Sequence, residues 1–233
     1  MGQDILFEFI GTAILLLLGN GVCANVCLKK TLGNNSGWVV VTFGWGFAVF
    51  VAAFISAPYS GAHLNPALTI GLAATGAFKG NVLAYILAQM AGAIVGACLV
   101  YVMYRPHFTA EEDPGKKLGV FCTGPAIKDW VSNFASELIG TFVLVFGILM
   151  VAGAEMKGPF PVGILIVAIG MSLGGATGYA INPARDLGPR IAHAILPIKG
   201  KGGSNWGYAW LPVIAPITGS LLAAWLYLSI ASF

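Results

Sequence analysis

Two asparagines, Asn65 and Asn182, each open an Asn-Pro-Ala tripeptide: Asn65-Pro66-Ala67 and Asn182-Pro183-Ala184. Asparagine is a favoured helix N-cap, and proline at the next position supplies the φ of a first helical turn. Each tripeptide therefore reads as the start of a helix, with a side-chain amide free to donate a hydrogen bond. Arg185 follows the second tripeptide directly and adds a permanent cation beside those donors. Donors at helix N-termini plus a cation can hold the oxygen of a small polar solute. Two carboxylates, Glu8 and Glu137, lie 129 residues apart in nearly the same context, Glu8-Phe-Ile-Gly-Thr and Glu137-Leu-Ile-Gly-Thr, inside apolar runs. Such a pair could be a general acid and base, but its repeated setting argues for two structurally bound acceptors. His63, two residues before Asn65, could be a metal ligand, a proton relay or a histidine satisfied within its own loop. Cys23, Cys27, Cys98 and Cys122 have no histidine or carboxylate company in sequence and read as packing residues, so neither a metal nor a cofactor is expected.

The elements that position these groups follow from composition. Of 233 residues, 58% are apolar and 9% charged, against about 25% charged in an ordinary soluble domain. So few charges cannot cover a soluble surface, and most of the surface must face lipid. The net charge of +3 is scattered, which gives a nucleic-acid partner no electrostatic footing. Met1–Asp4 lacks the basic start of a signal peptide, so the first apolar run reads as a membrane helix. Six segments are long enough to cross: Ile5–Leu28, Trp38–Ala57, Asn81–Tyr104, Val131–Ala152, Phe160–Gly178 and Tyr208–Ile230. Pro66–Ala74 and Pro183–Leu196 are apolar but too short to cross, and read as half-helices that enter the membrane and stop. The tripeptides are 117 residues apart, and each follows the second long helix of its half. Three crossings per half make the second copy run in the opposite sense. The expectation is an all-α membrane protein of six transmembrane helices and two re-entrant half-helices in an inverted repeat. Residues 1–233 form one domain, with halves of about 1–104 and 131–233 joined by a loop at 105–130. Function in such repeats lies at the midplane, where both half-helix N-termini would point.

Ser60-Gly-Ala-His-Leu-Asn-Pro-Ala-Leu-Thr69 and Gly178-Tyr-Ala-Ile-Asn-Pro-Ala-Arg-Asp-Leu-Gly-Pro-Arg190 resemble the two signature loops of the aquaporin (major intrinsic protein) superfamily. The resemblance covers nearly the whole chain. It implies a channel rather than an enzyme, with a narrow filter at Trp45, Gly170, Tyr179 and Arg185. It implies a ladder of backbone carbonyls from Gly61, Ala62, His63 and Leu64 and from Gly178, Ala180 and Ile181. In the family the glutamates matching Glu8 and Glu137 hold the re-entrant loops. Water-selective members usually carry histidine where Gly170 stands, so this filter is expected to be wider, with an apolar wall opposite Arg185. That corner suits glycerol, and Asp186, Arg190 and Pro212 also resemble the glycerol-conducting branch. Tyr179 departs from that branch's bacterial pattern, which has phenylalanine there. The resemblance further implies a homotetramer in lipid, with one pore per subunit and both termini in the cytoplasm of a cell membrane.

Orientation read from charge disagrees. Connections after the first, third and fifth crossings carry ten of the twelve Lys and Arg, and the other side has only Lys79 and Lys157. The positive-inside rule would put the termini outside. Against this, Arg185 and Arg190 belong to the pore loop, and cations and anions balance across residues 105–130. A passive channel for glycerol and water that excludes ions and protons is the expected function. Dihydroxyacetone, urea, hydrogen peroxide and neutral lactic acid fit the same pore class. A secondary transporter would need coupling acids or ion sites, and an intramembrane enzyme a nucleophile and base. His107 and His193 lie apart from both.

Overall fold

The computed structural model describes residues 2–151 and 158–231, and among these the regular elements are all α-helices. The long helices are α1 (Gln3–Cys27), α2 (Trp38–Ser60), α4 (Val82–Ala110), α6 (Trp130–Val151) and α9 (Leu211–Ala231). Each is long and apolar enough to cross a membrane. The short ones are α3 (Pro66–Ala74), α5 (Pro114–Phe121), α7 (Pro159–Leu173) and α8 (Pro183–Ile195). The expected end of the fourth crossing at Ala152, and Lys157, lie outside the described residues.

The largest departures from the sequence reading are at the ends of three helices. Helix α2 runs through Pro58 to Ser60 and ends where Gly61 turns left-handed at φ 78°. Helix α4 continues through Pro106 to Ala110, so the expected loop at 105–130 starts later and contains α5. Asp113 starts that helix, its carboxylate accepting from Gly115 N and Lys116 N ahead of Pro114. The fifth crossing, expected over Phe160–Gly178, stops at Leu173 and spans only 15 residues. Gly174 and Gly175 release the helix there, and the chain folds back with a Gly178 N to Gly174 O bond of 2.9 Å.

Packing follows the repeat. α1 lies against α4 and α2, and α6 against α9 and α7; each half-helix leans on the last long helix of the other half, α3 on α9 and α8 on α4. Where α2 crosses α7, a Cβ on Gly46 would lie 2.8 Å from Gly163 O, and one on Gly163 would lie 2.9 Å from Gly46 O. Neither position admits a side chain, so the two helices touch backbone to backbone, the usual means of tight helix association in lipid. Large apolar side chains such as Phe54, Leu83, Val102 and Trp225 are exposed on the outer faces. The protein is an integral membrane protein, and that outer face is its lipid-compatible surface.

Candidate functional site

The loops that precede α3 and α8 are each fastened by a fully buried carboxylate. Glu8 Oε1 accepts from Ser60 Oγ at 2.7 Å and His63 N at 2.9 Å; Oε2 accepts from Leu64 N at 2.8 Å and Gln89 Nε2 at 2.7 Å. Glu137 Oε1 accepts from Thr177 Oγ1 at 2.7 Å and Ala180 N at 2.9 Å, and Oε2 from Ile181 N at 2.8 Å. Ser60 and Thr177, His63 and Ala180, and Leu64 and Ile181 are all related by the same 117-residue offset as the two asparagines. An isolated carboxylate in an apolar helix is costly, and several charge-assisted bonds offset that cost.

Fastening the loops also decides what the backbone shows. Gly61 N donates to Ala57 O, Ala62 N to Ser60 Oγ, and His63 N and Leu64 N to Glu8, so every N–H of this stretch is spent inside the protein. What remains for a solute is the carbonyls. Ala62 and Leu64 have φ of 53° and 51°, and Tyr179 and Ile181 have φ of 39° and 43°. Non-glycine residues persist in this region only where their surroundings over-determine them, which here is the work of the two glutamates.

The half-helices then meet through their caps. Asn65 Oδ1 accepts from Ala67 N at 2.9 Å, while its Nδ2 donates to Ile181 O at 2.9 Å. Asn182 Oδ1 accepts from Ala184 N at 2.9 Å and Arg185 N at 3.2 Å, and its Nδ2 donates to Leu64 O at 2.9 Å. Each amide thus spends one N–H on the opposite loop and keeps one. Pro66, Ala67, Pro183 and Ala184 form the buried first turns behind them.

A cavity of about 250 Å³ runs through this junction. Trp45, Tyr179 and Arg185 line it together with Asn65 and Asn182, and His63, Gly158 and Pro159 also contribute. Gly61, Ala62, Leu64, Ala180 and Ile181 are on its wall, and Leu15, Val49, Leu144 and Ile166 make an apolar lining. Gly178, expected in the carbonyl row, does not line the cavity; it makes the turn out of α7 at φ 87°.

At the filter, the Arg185 guanidinium carbon stands 4.1 Å from the Trp45 ring centroid, within cation–π range. Arg185 Nη1 donates to Phe121 O at 3.4 Å. Trp45 Nε1 is engaged by Cys23 Sγ at 3.4 Å, so the indole offers the cavity its ring and not its donor. Gly170 does not leave the open space expected beside Arg185. A Cβ there would meet Tyr179 Cζ at 2.8 Å and Thr42 Cγ2 at 2.9 Å, so the phenol ring already occupies that corner. The Trp38 ring braces Tyr179 edge-on at 5.7 Å and its Nε1 donates to Gly170 O at 3.0 Å. The buried Tyr179 hydroxyl has no protein partner.

Asp186 does not line the cavity. Its Oδ2 accepts from Thr123 N at 2.7 Å and Thr123 Oγ1 at 2.6 Å, and its Oδ1 from Arg190 Nη2 at 2.7 Å. Arg190 Nη2 donates to Thr123 O at 3.0 Å, so the linker is riveted to α8 at one residue. The His63 ring bonds Thr69 Oγ1 through Nδ1 at 3.1 Å and packs on Phe78 and Tyr85. No group of three or more metal-ligating side chains converges among the described residues.

Sequence reasoning missed Ser60, Thr177, Gln89, Thr123 and Phe121. The first two were findable, being hydroxyl residues five positions before each asparagine in both copies. Gln89 was visible as a lone polar residue in an apolar run. Phe121 acts through its backbone carbonyl, where side-chain type carries no signal, and Thr123 through its backbone as well as its hydroxyl, in a linker with no repeat to mark it.

A bundle enclosing a polar-and-apolar cavity between two capped half-helices defines a membrane channel. The sequence profile of the major intrinsic protein family matches residues 1–227, and the chain belongs to that family. It is 57% identical over 227 residues to the glycerol uptake facilitator protein of Streptococcus pneumoniae (strain R6), covering 96% of this chain and 97% of that one. It is 60% identical over 216 residues to the glycerol uptake facilitator protein of Bacillus subtilis, covering 91% of this chain and 79% of that one. The crystal structure of the aquaglyceroporin from Plasmodium falciparum superposes with a TM-score of 0.83 at 33% identity, over 97% of this chain and 94% of that chain. The protein is a channel and not an enzyme.

Proposed function

We propose that this channel passes glycerol and other small neutral solutes, with water, and excludes ions and protons. The observation that carries this reading is the filter corner, where the Trp45 ring lies 4.1 Å from the Arg185 guanidinium and Tyr179 closes a third side. A polyol has a carbon edge and a hydroxyl edge, and this corner has a face for each. Trp45, Tyr179 and Arg185 select, with Gly170 seating Tyr179. The carbonyls of residues 61–64 and 180–181 replace the hydration of the solute's hydroxyls. The remaining N–H of Asn65 and of Asn182 donates at the midplane, where the positive ends of α3 and α8 repel cations. Glu8, Glu137 and Asp186 hold the loops.

The same proposal covers orientation and assembly. Both termini are cytoplasmic, and the halves 1–104 and 131–233 work as an inverted repeat. Several cations of the cation-rich side are structural parts of the bundle rather than free flanking charges, which supports this reading. Arg190 pairs with Asp186, and Lys29 with Glu112 at 3.1 Å. Lys117 Nζ donates to Lys199 O at 2.5 Å, and Lys201 Nζ to His193 O at 2.6 Å at the end of α8. The exposed apolar flanks fit lipid and a homotetramer with one pore per subunit.

The test is stopped-flow light scattering on proteoliposomes under a glycerol gradient, beside protein-free vesicles and a water-permeability control. Glycerol entry well above the lipid background, with weak saturation, supports the reading. Fast water flux with glycerol at the lipid background would replace it by a water-selective channel.

A further inference from the structure

The filter arginine is held by surprisingly little. Its ring contact to Trp45 is on one side, and among the described residues its guanidinium has a single hydrogen bond, the 3.4 Å contact to Phe121 O. That carbonyl, the last of α5, also accepts from Asn20 Nδ2 at 3.0 Å. Asn20 lies on α1, is fully buried and does not line the cavity. Its Oδ1 has no protein partner. Burying an amide with its acceptor unmatched destabilises a protein, so an apolar residue would be the easier occupant unless the donor were needed. Reversing the amide would set Oδ1 against Phe121 O, acceptor to acceptor, so the donor is the end that faces the carbonyl.

Accepting from Asn20 fixes where the Phe121 oxygen sits. The side chain of Phe121 is separately pinned between the rings of Phe108 at 5.5 Å and His193 at 5.4 Å. A fixed oxygen gives Arg185 a fixed point to reach for, and its remaining N–H groups are then aimed into the path.

We propose that Asn20 is a positioning residue for permeant selection, acting through the Phe121 carbonyl on the Arg185 guanidinium. This rests on the filter reading above. Without the Asn20 donor the carbonyl is free to turn and Arg185 takes other rotamers, which alters solutes that bond it more than water.

The test is a double-mutant cycle of Asn20→Ala and Arg185→Ala, with Asn20→Leu as the near-isosteric variant that keeps the volume and has no donor in any protonation state. Each protein is reconstituted at matched density, and glycerol and water permeabilities are taken on the same vesicles. Asn20→Ala or Asn20→Leu should change the glycerol-to-water ratio by about two- to tenfold, the worth of one hydrogen bond. In the Arg185→Ala background the Asn20 substitution should leave that ratio unchanged, because sites acting through one group do not add. Equal loss of both permeabilities in the Asn20 variants, or a ratio change that persists without Arg185, would overturn the proposal. If the unsubstituted protein passes no glycerol, the filter reading itself fails, a result distinct from either.

Discussion

Replacing Gly170 with alanine adds one methyl group at the most crowded point of the filter. That methyl would lie 2.8 Å from Tyr179 Cζ, 2.9 Å from Tyr179 Oη and 2.9 Å from Thr42 Cγ2. Carbon atoms in good contact are about 3.5–4.0 Å apart, so the ring or the helix must retreat by roughly 1 Å. Helix α7 has little freedom, because its backbone meets α2 at Gly46 and Gly163, and Trp38 ties down Gly170 O at 3.0 Å. Trp38 also stands edge-on behind Tyr179. The direction left to the phenol is the cavity. Overpacking of this kind costs about 1–3 kcal/mol, and a comparable rise in the barrier is roughly five- to 150-fold in rate. Glycerol should lose at least about fivefold in permeability, while water loses less. The assay is paired stopped-flow glycerol and water permeability at matched protein density, with melting temperature as the check on folding. Unchanged glycerol permeability in a folded Gly170→Ala protein would refute the reasoning that Tyr179 occupies the glycine's corner and bounds the path.

Tyr179→Phe keeps the ring and removes a hydroxyl without a protein partner; if that hydroxyl bonds the permeant, glycerol permeability shifts by about two- to tenfold with little change in melting temperature. Glu137→Gln places an amide NH₂ where carboxylate oxygens accept from Thr177, Ala180 and Ile181. The melting temperature should fall, by the equivalent of about 2–4 kcal/mol for charge-assisted bonds lost at a buried site. Glu8→Gln should lower it as well, because the new NH₂ faces His63 N in one orientation and Leu64 N in the other; differential scanning fluorimetry measures both. Asn182→Asp removes the donor to Leu64 O and puts a carboxylate at the end of α8. Expression should drop, since an unpaired buried charge costs several kcal/mol. Any folded Asn182→Asp protein should show measurable cation conductance in planar bilayers; unaltered selectivity would contradict the midplane assignment.

The half-helices were legible to within a residue because their signal is local: Asn-Pro at the start and a short apolar run after it. The loop glutamates were legible because the repeat printed each context twice. The helix ends at Ser60 and Ala110 were not, because Pro58 and Pro106 normally stop a helix and here bundle packing overrides them. The corner at Gly170 was misread for a different reason. A glycine shows that a side chain is absent, but not which neighbour moves in, and Tyr179 arrives from the far side of a turn that sequence spacing does not describe. The linker was likewise opaque, since Phe121 and Thr123 contribute carbonyls and an N–H that every residue type possesses, and the Thr123 hydroxyl that joins them has no counterpart in the repeat to mark it.

The central claim is that this chain is a passive neutral-solute pore, and tracer glycerol exchange in proteoliposomes tests it most directly. Exchange is followed with no ion gradient, then with an imposed proton gradient and an imposed sodium gradient, while conductance is recorded on the same preparation. The predicted result is one exchange rate under all three conditions and a conductance equal to that of bare lipid. Glycerol accumulating against its own gradient, driven by protons or sodium, would contradict it.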